Sequence, residues 1–359
     1  MSRGASSRAC ASIDHVREGR ELIEATSEFA RESRATSWRH TIVSLLLLAA
    51  AIALAASAGW WPVRLAASLG AGLLAVRAFV LYHDFMHGSI LRGSTVAKAI
   101  FHAYGVLALT PPRVWRETHN YHHAHTAKIV GSHVGSFPVL TVEMWRALGR
   151  KERLAYRIVR HPMTIALGYF GVFLYGMCIS PFLRKPRRNW DSALALVLHV
   201  ALVIAVAVIA DPLTALFTLV VPLFVACALG GYLFYAQHNF EGTHIQSQQG
   251  WSYTRAALES SSYMELGPVM SWVTGNIGYH HVHHLNPSIP FYRLPEAMAH
   301  VPELQRARQT TLAPGEIARC CRLKLWDAAA SRMVGWDHLM DGGRGRGRAS
   351  EPDPPAKRS

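Results

Sequence analysis

The residues of this sequence best suited to chemistry are histidines, which number 20 among 359 residues and recur in three short boxes. The boxes span residues 83–87 (HDFMH), 119–123 (HNYHH) and 280–284 (HHVHH). In a helix, the first box would place two imidazoles at positions i and i+4, and the other two would place three at i, i+3 and i+4. Imidazoles that share a helix face form part of a metal site, which other elements must complete.

The number of box histidines predicts more than one metal ion. A structural zinc site stops at four ligands, whereas eight histidines keep the helical spacing here. Imidazole binds zinc, copper, iron and nickel, so the type of donor leaves the metal open, and the ligand number favours two adjacent ions. The five cysteines show no Cys-x-x-Cys spacing, so we expect no thiolate site. A metal transporter is a competing interpretation, but it would place its histidines within apolar runs or in a low-complexity loop.

The composition is that of an integral membrane protein. Half of the residues are hydrophobic and only 17% are charged. The formal net charge of +14 would suit nucleic acid, but many basic residues flank long apolar runs, as they do in membrane proteins. We therefore expect membrane lipids and no nucleic acid as partners.

Five apolar runs have about the 20 residues needed to cross a bilayer: residues 41–59, 62–82, 164–183, 192–210 and 213–235. If the last three all crossed, the histidine boxes would lie on opposite sides of the membrane. The basic run 184–188 (RKPRR) marks the cytoplasmic side, so we interpret 164–183 as interfacial or re-entrant. The remaining four runs then form two helical hairpins, with every box on the cytoplasmic side.

The predicted fold is an all-α integral membrane protein, in which a cytoplasmic helical cap holds the histidine site. Residues 1–40 form a cytoplasmic arm, and 41–300 form the membrane domain. Residues 301–341 form a cytoplasmic helical region, and the Gly-, Arg- and Pro-rich tail, 342–359, is disordered. The arginine-rich, lysine-poor composition favours a bacterial source, so the predicted location is the bacterial inner membrane.

Motifs around the boxes carry a resemblance to a known family. They are Leu109-Thr110-Pro111 before Trp115-Arg116, and the runs 237–241 (QHNFE), 257–261 (ALESS), 274–280 (TGNIGYH) and 285–294 (LNPSIPFYRL). Over residues 40–300 the sequence resembles the membrane-bound fatty acid desaturases, a non-haem diiron family, and within it the acyl-lipid Δ12 or omega-6 desaturases. The first box also resembles that of carotenoid ketolases from the same superfamily.

The resemblance implies two iron ions held by nine histidines: His83, His87, His119, His122, His123, His238, His280, His283 and His284. Four further residues are candidates to support the ligands: Asp84, Glu117 and Glu259, which could accept imidazole N–H bonds, and His125. An apolar tunnel for the substrate has four aromatic candidates: Phe79, Tyr82, Phe234 and Tyr235.

The implied activity is that of an oxidoreductase that uses O2 to place a cis double bond in a fatty acyl chain of a lipid. The sequence has no iron–sulfur cysteine motif, and His161-Pro162 continues with Met163 where a fused haem domain would have glycines. We therefore expect electrons from an external ferredoxin- or cytochrome b5-type donor. A related diiron lipid hydroxylase, or a carotenoid ketolase or hydroxylase, is the alternative.

Overall fold

The computed structural model describes residues 17–131, 134–247 and 249–341. The predicted tail, 342–359, and the first 16 residues of the predicted arm lie outside the described residues. Within the described part, four helices are long and apolar enough to cross a membrane: span 1 (Arg34–Ser57), span 2 (Trp61–His87), span 3 (Trp190–Ile209) and span 4 (Pro212–Ala236).

Spans 1 and 2 are both longer than the apolar runs that predict them. Span 1 begins at Arg34, and span 2 continues through the first histidine box to His87. Span 2 ends there because Gly88 adopts a left-handed conformation, with φ of 77°, which suits a residue without a Cβ. Span 2 packs against both span 1 and span 4. At Gly72 the approach to span 4 is so close that an added Cβ would lie 2.6 Å from the Cβ of Val225.

The run predicted to be interfacial or re-entrant, 164–183, is divided into three pieces. A short helix, Pro162–Ala166, is followed by an eleven-residue π-helix, Tyr169–Ile179, and by a second short helix, Ser180–Arg184. The wider turns of a π-helix are rare and often occur at functional sites.

The first part of this segment packs along span 4. It starts near the end of span 4 that carries His238 and runs toward the middle of the span. Arg160 donates a hydrogen bond to Oδ1 of Asn239, just beyond the end of span 4, at 2.5 Å. Gly168 instead packs against the backbone of Cys227, deeper in the same span. Between residues 160 and 168 the chain therefore runs from the histidine end of span 4 toward the middle of that span.

The second part follows span 3 in the opposite sense. The Tyr169 hydroxyl lies 2.5 Å from Nε2 of His199, in the middle of span 3. Met177 accepts a hydrogen bond from the hydroxyl of Ser192, in the first turn of span 3, at 3.0 Å. The chain thus returns toward the end at which it entered.

The remaining helices are short, and we call this part of the structure the cap. They are Gly19–Ala25, Thr95–Leu107, Pro112–His125, Val142–Ala147, Arg150–Val159, Tyr253–Glu259, Pro268–Val273, His280–Leu285, Leu294–His300, Pro314–Arg322 and His338–Asp341, with 3-10 turns at Ser27–Ala30, Phe291–Arg293 and Pro302–Arg306. Leu22 and Phe29, from the predicted arm, are buried in one apolar cluster with Ile289 and Leu294. The described end of the arm is therefore part of the cap.

The all-α prediction is wrong for a small part of the cap, which also contains five short strands. Leu140–Thr141 pairs parallel with Leu325–Asp327, which pairs antiparallel with Arg332–Val334. Tyr263–Glu265 pairs parallel with Gln309–Thr311. The region 301–341 is therefore mixed and not helical throughout. Strands of two or three residues are too short to show the alternation by which a sequence predicts them.

Candidate metal centre

The structure brings all nine sequence-predicted ligand histidines together in two groups, within each of which the ring nitrogens lie within 4.8 Å of one another. The five-histidine group contains His83, His87, His119, His123 and His283. The four-histidine group contains His122, His238, His280 and His284. Seven of these nine side chains are buried, and those of His87 and His238 are half-buried.

Two helices divide their histidines between the groups. On Pro112–His125, residues i and i+4 (His119 and His123) face the five-histidine group, whereas His122 faces the other group. On His280–Leu285 the pattern is reversed, since the i and i+4 residues face the four-histidine group and His283 faces the five-histidine group. The histidine end of span 2 supplies His83 and His87, and His238 follows just beyond span 4. Each group is thus assembled from three separate parts of the chain.

The nitrogen spacing in each group suits a shared metal ion. In the five-histidine group, Nε2 of His119 lies 3.0 Å from that of His83 and 3.1 Å from that of His123. In the four-histidine group, Nε2 of His238 lies 3.1 Å from that of His122 and 2.9 Å from that of His280. Two nitrogens at about 2.1 Å from one ion and at right angles would be about 3.0 Å apart.

One ring nitrogen provides a second indication that the five-histidine group fits a cation. Nε2 of His87 is buried in the five-histidine group and has no hydrogen-bond partner among the described residues. A buried polar atom without a partner is costly, and a metal ion would remove that cost by accepting the lone pair. The donor set therefore fits a metal ion in each group.

Burial keeps these imidazoles in the neutral form that binds metals. Desolvation is the largest cause of the shift at every ligand outside the spans, and neighbouring histidines add to it at most of them. It lowers the pKa of His238 to about 4. It lowers the pKa of six ligands well below the usual 6.5: His119, His122, His123, His280, His283 and His284. At neutral pH each of these rings has a free nitrogen lone pair.

Hydrogen bonds from outside the groups orient two of the rings. Oδ1 of Asp84 lies 3.0 Å from Nδ1 of His83, while Oδ2 accepts the backbone N–H of Phe291 at 2.7 Å. Nδ1 of His238 donates to the backbone carbonyl of Ser260 at 2.9 Å. Each bond fixes the tautomer that leaves Nε2 free to face a metal. Asp84 therefore lies where the sequence predicts a supporting carboxylate.

The structure does not place the other two predicted carboxylates beside imidazoles. Glu117 is about half exposed and pairs with Arg188 at 2.7 Å. Glu117 precedes His119 by two residues. Residues two apart in a helix lie about 160° apart around its axis, so Glu117 faces away from the side of His119. Glu259 pairs with Arg255, four residues earlier on the same helix, at 3.2 Å.

His125 and His281 also lie outside both groups. The ring of His125 stacks on that of Tyr121 at 3.8 Å, and its Nδ1 donates to the Tyr121 carbonyl at 2.9 Å. His281 is fully buried, and its Nε2 donates to the backbone carbonyl of Leu304 at 3.0 Å. The sequence predicts His125 as a supporting residue of the centre. In the structure its ring instead contacts Tyr121 on its own helix.

A cavity of about 570 Å³ adjoins the centre, and His83, His119 and His280 form part of its wall. Cavities that bind small molecules are typically about 300–1,000 Å³. Most of the remaining wall is apolar and comes from span 2, the π-helix and span 4. Four glycines of the π-helix and span 4, Gly171, Gly176, Gly230 and Gly231, also line it.

Two of the four predicted tunnel residues, Phe79 and Phe234, line this cavity. Tyr82 and Tyr235 face elsewhere, and their hydroxyls donate to the carbonyls of Thr110 at 2.9 Å and Leu323 at 3.3 Å. The difference follows from helical spacing, because Phe79 and Phe234 each lie four residues before a ligand histidine and share its face.

The same spacing identifies a residue that was not predicted. Trp115 lies four residues before His119, lines the cavity and stacks on the His119 ring at 4.4 Å between centroids. It also contacts the rings of Phe79 and Tyr82. Trp115 thus connects the ring of His119 with the aromatic residues beside it.

Comparisons with known proteins show which chains this one is similar to. Residues 58–314 match the family model described as fatty acid desaturase. A fatty acid desaturase of Bacillus subtilis is 32% identical over 267 residues, which cover 74% of this chain and 75% of that protein. An sn-1 oleoyl-lipid 12-desaturase of Synechocystis sp. is 27% identical, with coverage of 60% and 62%. An sn-2 acyl-lipid omega-3 desaturase (ferredoxin) of Helianthus annuus is 25% identical, with coverage of 72% and 61%.

Proposed function

The chain belongs to the fatty acid desaturase family, and from this premise we propose that it is an O2-dependent enzyme that introduces a cis double bond into a fatty acyl chain. The observation that carries the proposal is the meeting of nine imidazoles, in two groups, at the wall of an apolar cavity. In the overall reaction, the acyl chain loses two hydrogen atoms, and O2 takes up those together with two electrons and two protons to give two waters.

We propose one iron ion for each histidine group. When bound, the iron pair would supply the O2 activation and hydrogen abstraction that no side-chain acid or base can perform on an unactivated methylene. The histidines would hold the ions through neutral nitrogens, and Asp84 and the Ser260 carbonyl would fix two of the rings. Trp115 would shield the face of His119 from water, because its ring covers that face.

The cavity would hold the acyl chain and select the carbon pair that reacts. Desaturation requires one C–C pair to lie beside the centre, so the fit of the chain in the cavity decides the position of the double bond. Phe79 and Phe234 contact the cavity one helical turn before their ligand histidines, so they lie where the chain would pass the centre. We propose an acyl-lipid substrate of the Δ12 or omega-6 type. The motifs around the boxes and the similarity to an oleoyl-lipid 12-desaturase support this choice.

We also propose that the four spans cross the bacterial inner membrane as two hairpins, with the metal centre on the cytoplasmic side. The first box ends span 2 and His238 follows span 4, so both spans would end on the same side. The inward and outward contacts of the segment from 160 to 188 support a re-entrant path for it. A reporter fused after Leu183 should read cytoplasmic, and a periplasmic reading would contradict this topology.

Lipid analysis of a host that expresses the gene tests the activity directly. Fatty acid methyl esters should show a new cis-unsaturated chain with the wild-type protein. His122→Ala and His283→Ala, one from each histidine group, should abolish the new product and lower the iron content. Hydroxylated acids or altered carotenoids, without a new double bond, would favour the alternative members of this superfamily and refute the desaturase proposal.

A further inference from the structure

Two aromatic residues that follow span 4 are bonded directly to the helices that carry the ligands. The Trp251 indole N–H donates to the Thr126 carbonyl at 2.9 Å, and the Tyr253 hydroxyl donates to the His284 carbonyl at 2.6 Å. The Thr126 hydroxyl in turn donates to the His122 carbonyl at 2.7 Å. Both aromatic side chains are partly exposed, so a short bonded route leads from the surface to the four-histidine group.

Trp251 lies beside one cationic side chain, and an exposed apolar residue follows that cation two positions later along the chain. Nζ of Lys128 lies 3.9 Å from the centre of the Trp251 ring, and Lys128 forms no ion pair within the described part of the chain. The nearby Val130 is 65% exposed. We call Lys128, Val130, Trp251 and Tyr253 the Trp251 patch.

A small pocket extends from Lys128 to the four-histidine group, and its wall contains a second cationic side chain. Its lining includes Lys128, Arg160, His122 and His238, and none of the described residues that line it is acidic. Arg160 is 1% exposed, and its Nε has no hydrogen-bond partner among the described residues. The positive potential of buried and half-buried cations without carboxylates is poorly screened, so it favours the approach of a negatively charged surface.

The proposed reaction creates a need that this patch would meet. Each double bond requires two electrons from outside the chain, and the apolar cavity would be filled by substrate during turnover. Electrons must therefore reach the centre by another face. The basic charge, the exposed apolar side chain and the aromatic rings of the Trp251 patch are features of transient protein interfaces.

We propose that the Trp251 patch is the docking site of a small, soluble one-electron carrier with an acidic face, and that electrons enter the four-histidine group through it. This inference rests on the proposed function, since it assumes a redox-active metal centre. Each docking event transfers one electron, which oxidises one carrier and reduces one metal ion, so two events supply the electrons for one double bond.

Anaerobic stopped-flow measurement of electron transfer tests the proposal without reference to the acyl product. The iron-loaded, oxidised protein is mixed with a reduced [2Fe–2S] ferredoxin or with reduced cytochrome b5, and reoxidation of the carrier is followed optically. In Lys128→Glu the second-order rate at low salt should fall by about tenfold, because the charge reversal removes electrostatic attraction. The difference should shrink at about 1 M salt, where the screening length is about 3 Å.

Trp251→Ala tests the route itself, and Trp60→Ala is the matched control. Trp60 is 66% exposed and lies in the connection between spans 1 and 2. Trp251→Ala should slow transfer severalfold at saturating carrier, whereas Trp60→Ala should not change it. Reduction by dithionite, which needs no docking, should proceed at the wild-type rate in all three variants.

Carrier reoxidation at the wild-type rate in both Lys128→Glu and Trp251→Ala would overturn the proposal. So would a wild-type protein that neither carrier reduces, or an equal loss of dithionite reduction in Trp251→Ala, which would indicate damage to the centre. A protein that accepts electrons through the patch but forms no double bond would instead disprove the proposed function and support the docking site.

Discussion

Replacing Asp84 with asparagine should weaken metal binding in the five-histidine group. In the wild type, one carboxylate oxygen accepts from Nδ1 of His83 and the other accepts the Phe291 backbone N–H. Asparagine has a single oxygen and cannot accept both bonds. If its oxygen keeps the Phe291 bond, its amide N–H faces His83 and favours the tautomer in which Nε2 carries the proton. That tautomer has no lone pair at the nitrogen that would face the metal.

The size of the effect follows from the role of such outer contacts. Loss of one hydrogen bond that fixes a ligand histidine typically lowers metal affinity about 10–100-fold. In free energy this is about 1.4–2.8 kcal/mol, at about 1.4 kcal/mol for each tenfold change. Both contacts of the Asp84 carboxylate are at ordinary hydrogen-bond distances and the residue is 2% exposed, so water would not replace the lost bond. We expect a value toward the upper end of the range.

Competition with a chelator provides the assay, and Asp191→Asn provides the control. Purified wild type and variants are titrated with a graded Fe²⁺ chelator, and the iron that remains bound is measured by elemental analysis. Asp191 is also buried, at 7% exposure, and accepts the Arg113 backbone N–H at 3.0 Å, but it contacts neither histidine group. Its substitution should leave both irons at wild-type affinity. If Asp84→Asn also bound both irons as tightly as the wild type, the role assigned to Asp84 would be wrong.

Four further outcomes are expected. Gly230→Leu should abolish acyl turnover, because the residue lines the cavity. Iron content and thermal stability should be retained, since an added Cβ at Gly230 meets no atom within 4 Å. Gly72→Ala should instead lower the free energy of unfolding by about 1–3 kcal/mol, because its Cβ would clash with span 4. The hydrogen bond and charge of Arg17 lower the pKa of Glu303 from 4.5 to about 2, so this pair stabilises the fold above pH 4.5 and the contribution is lost as pH falls toward 2. Glu303→Gln should therefore lower stability at neutral pH by about 1–2 kcal/mol, allowing for the partial exposure of Arg17, and the difference in melting temperature should vanish near pH 2. His125→Phe should keep two irons by elemental analysis, and loss of either would show that His125 supports the centre after all.

The sequence predicts which histidines form the centre but not how they divide. The i, i+3 and i+4 spacing identifies shared helix faces, and all nine predicted histidines lie in one of the two groups. The division into five and four depends on where helices Pro112–His125 and His280–Leu285 lie relative to each other. That arrangement is set by packing between parts of the chain more than 150 residues apart, which leaves no local pattern.

Some residues around the histidines can be predicted from local sequence, and others depend on contacts between distant segments. Asp84 could be predicted because it is adjacent to a ligand, and Trp115 could have been found from its position one turn before His119. Glu117 does not support the centre because a residue two positions before His119 faces the opposite side of the helix, where it pairs with Arg188. Long apolar helices were predictable from composition, whereas the short strands of the cap arise only when distant segments meet.

The assembly of each group from three parts of the chain constrains how the protein is made. His83 and His283 are 200 residues apart. At about 5–20 residues per second, the ribosome needs about 10–40 s to pass from one to the other. During that interval the span 2 histidines and their partners on Pro112–His125 already exist, but both groups still lack the histidines of the third box. The full set of histidines for either proposed iron ion would therefore exist only after synthesis has passed the third box.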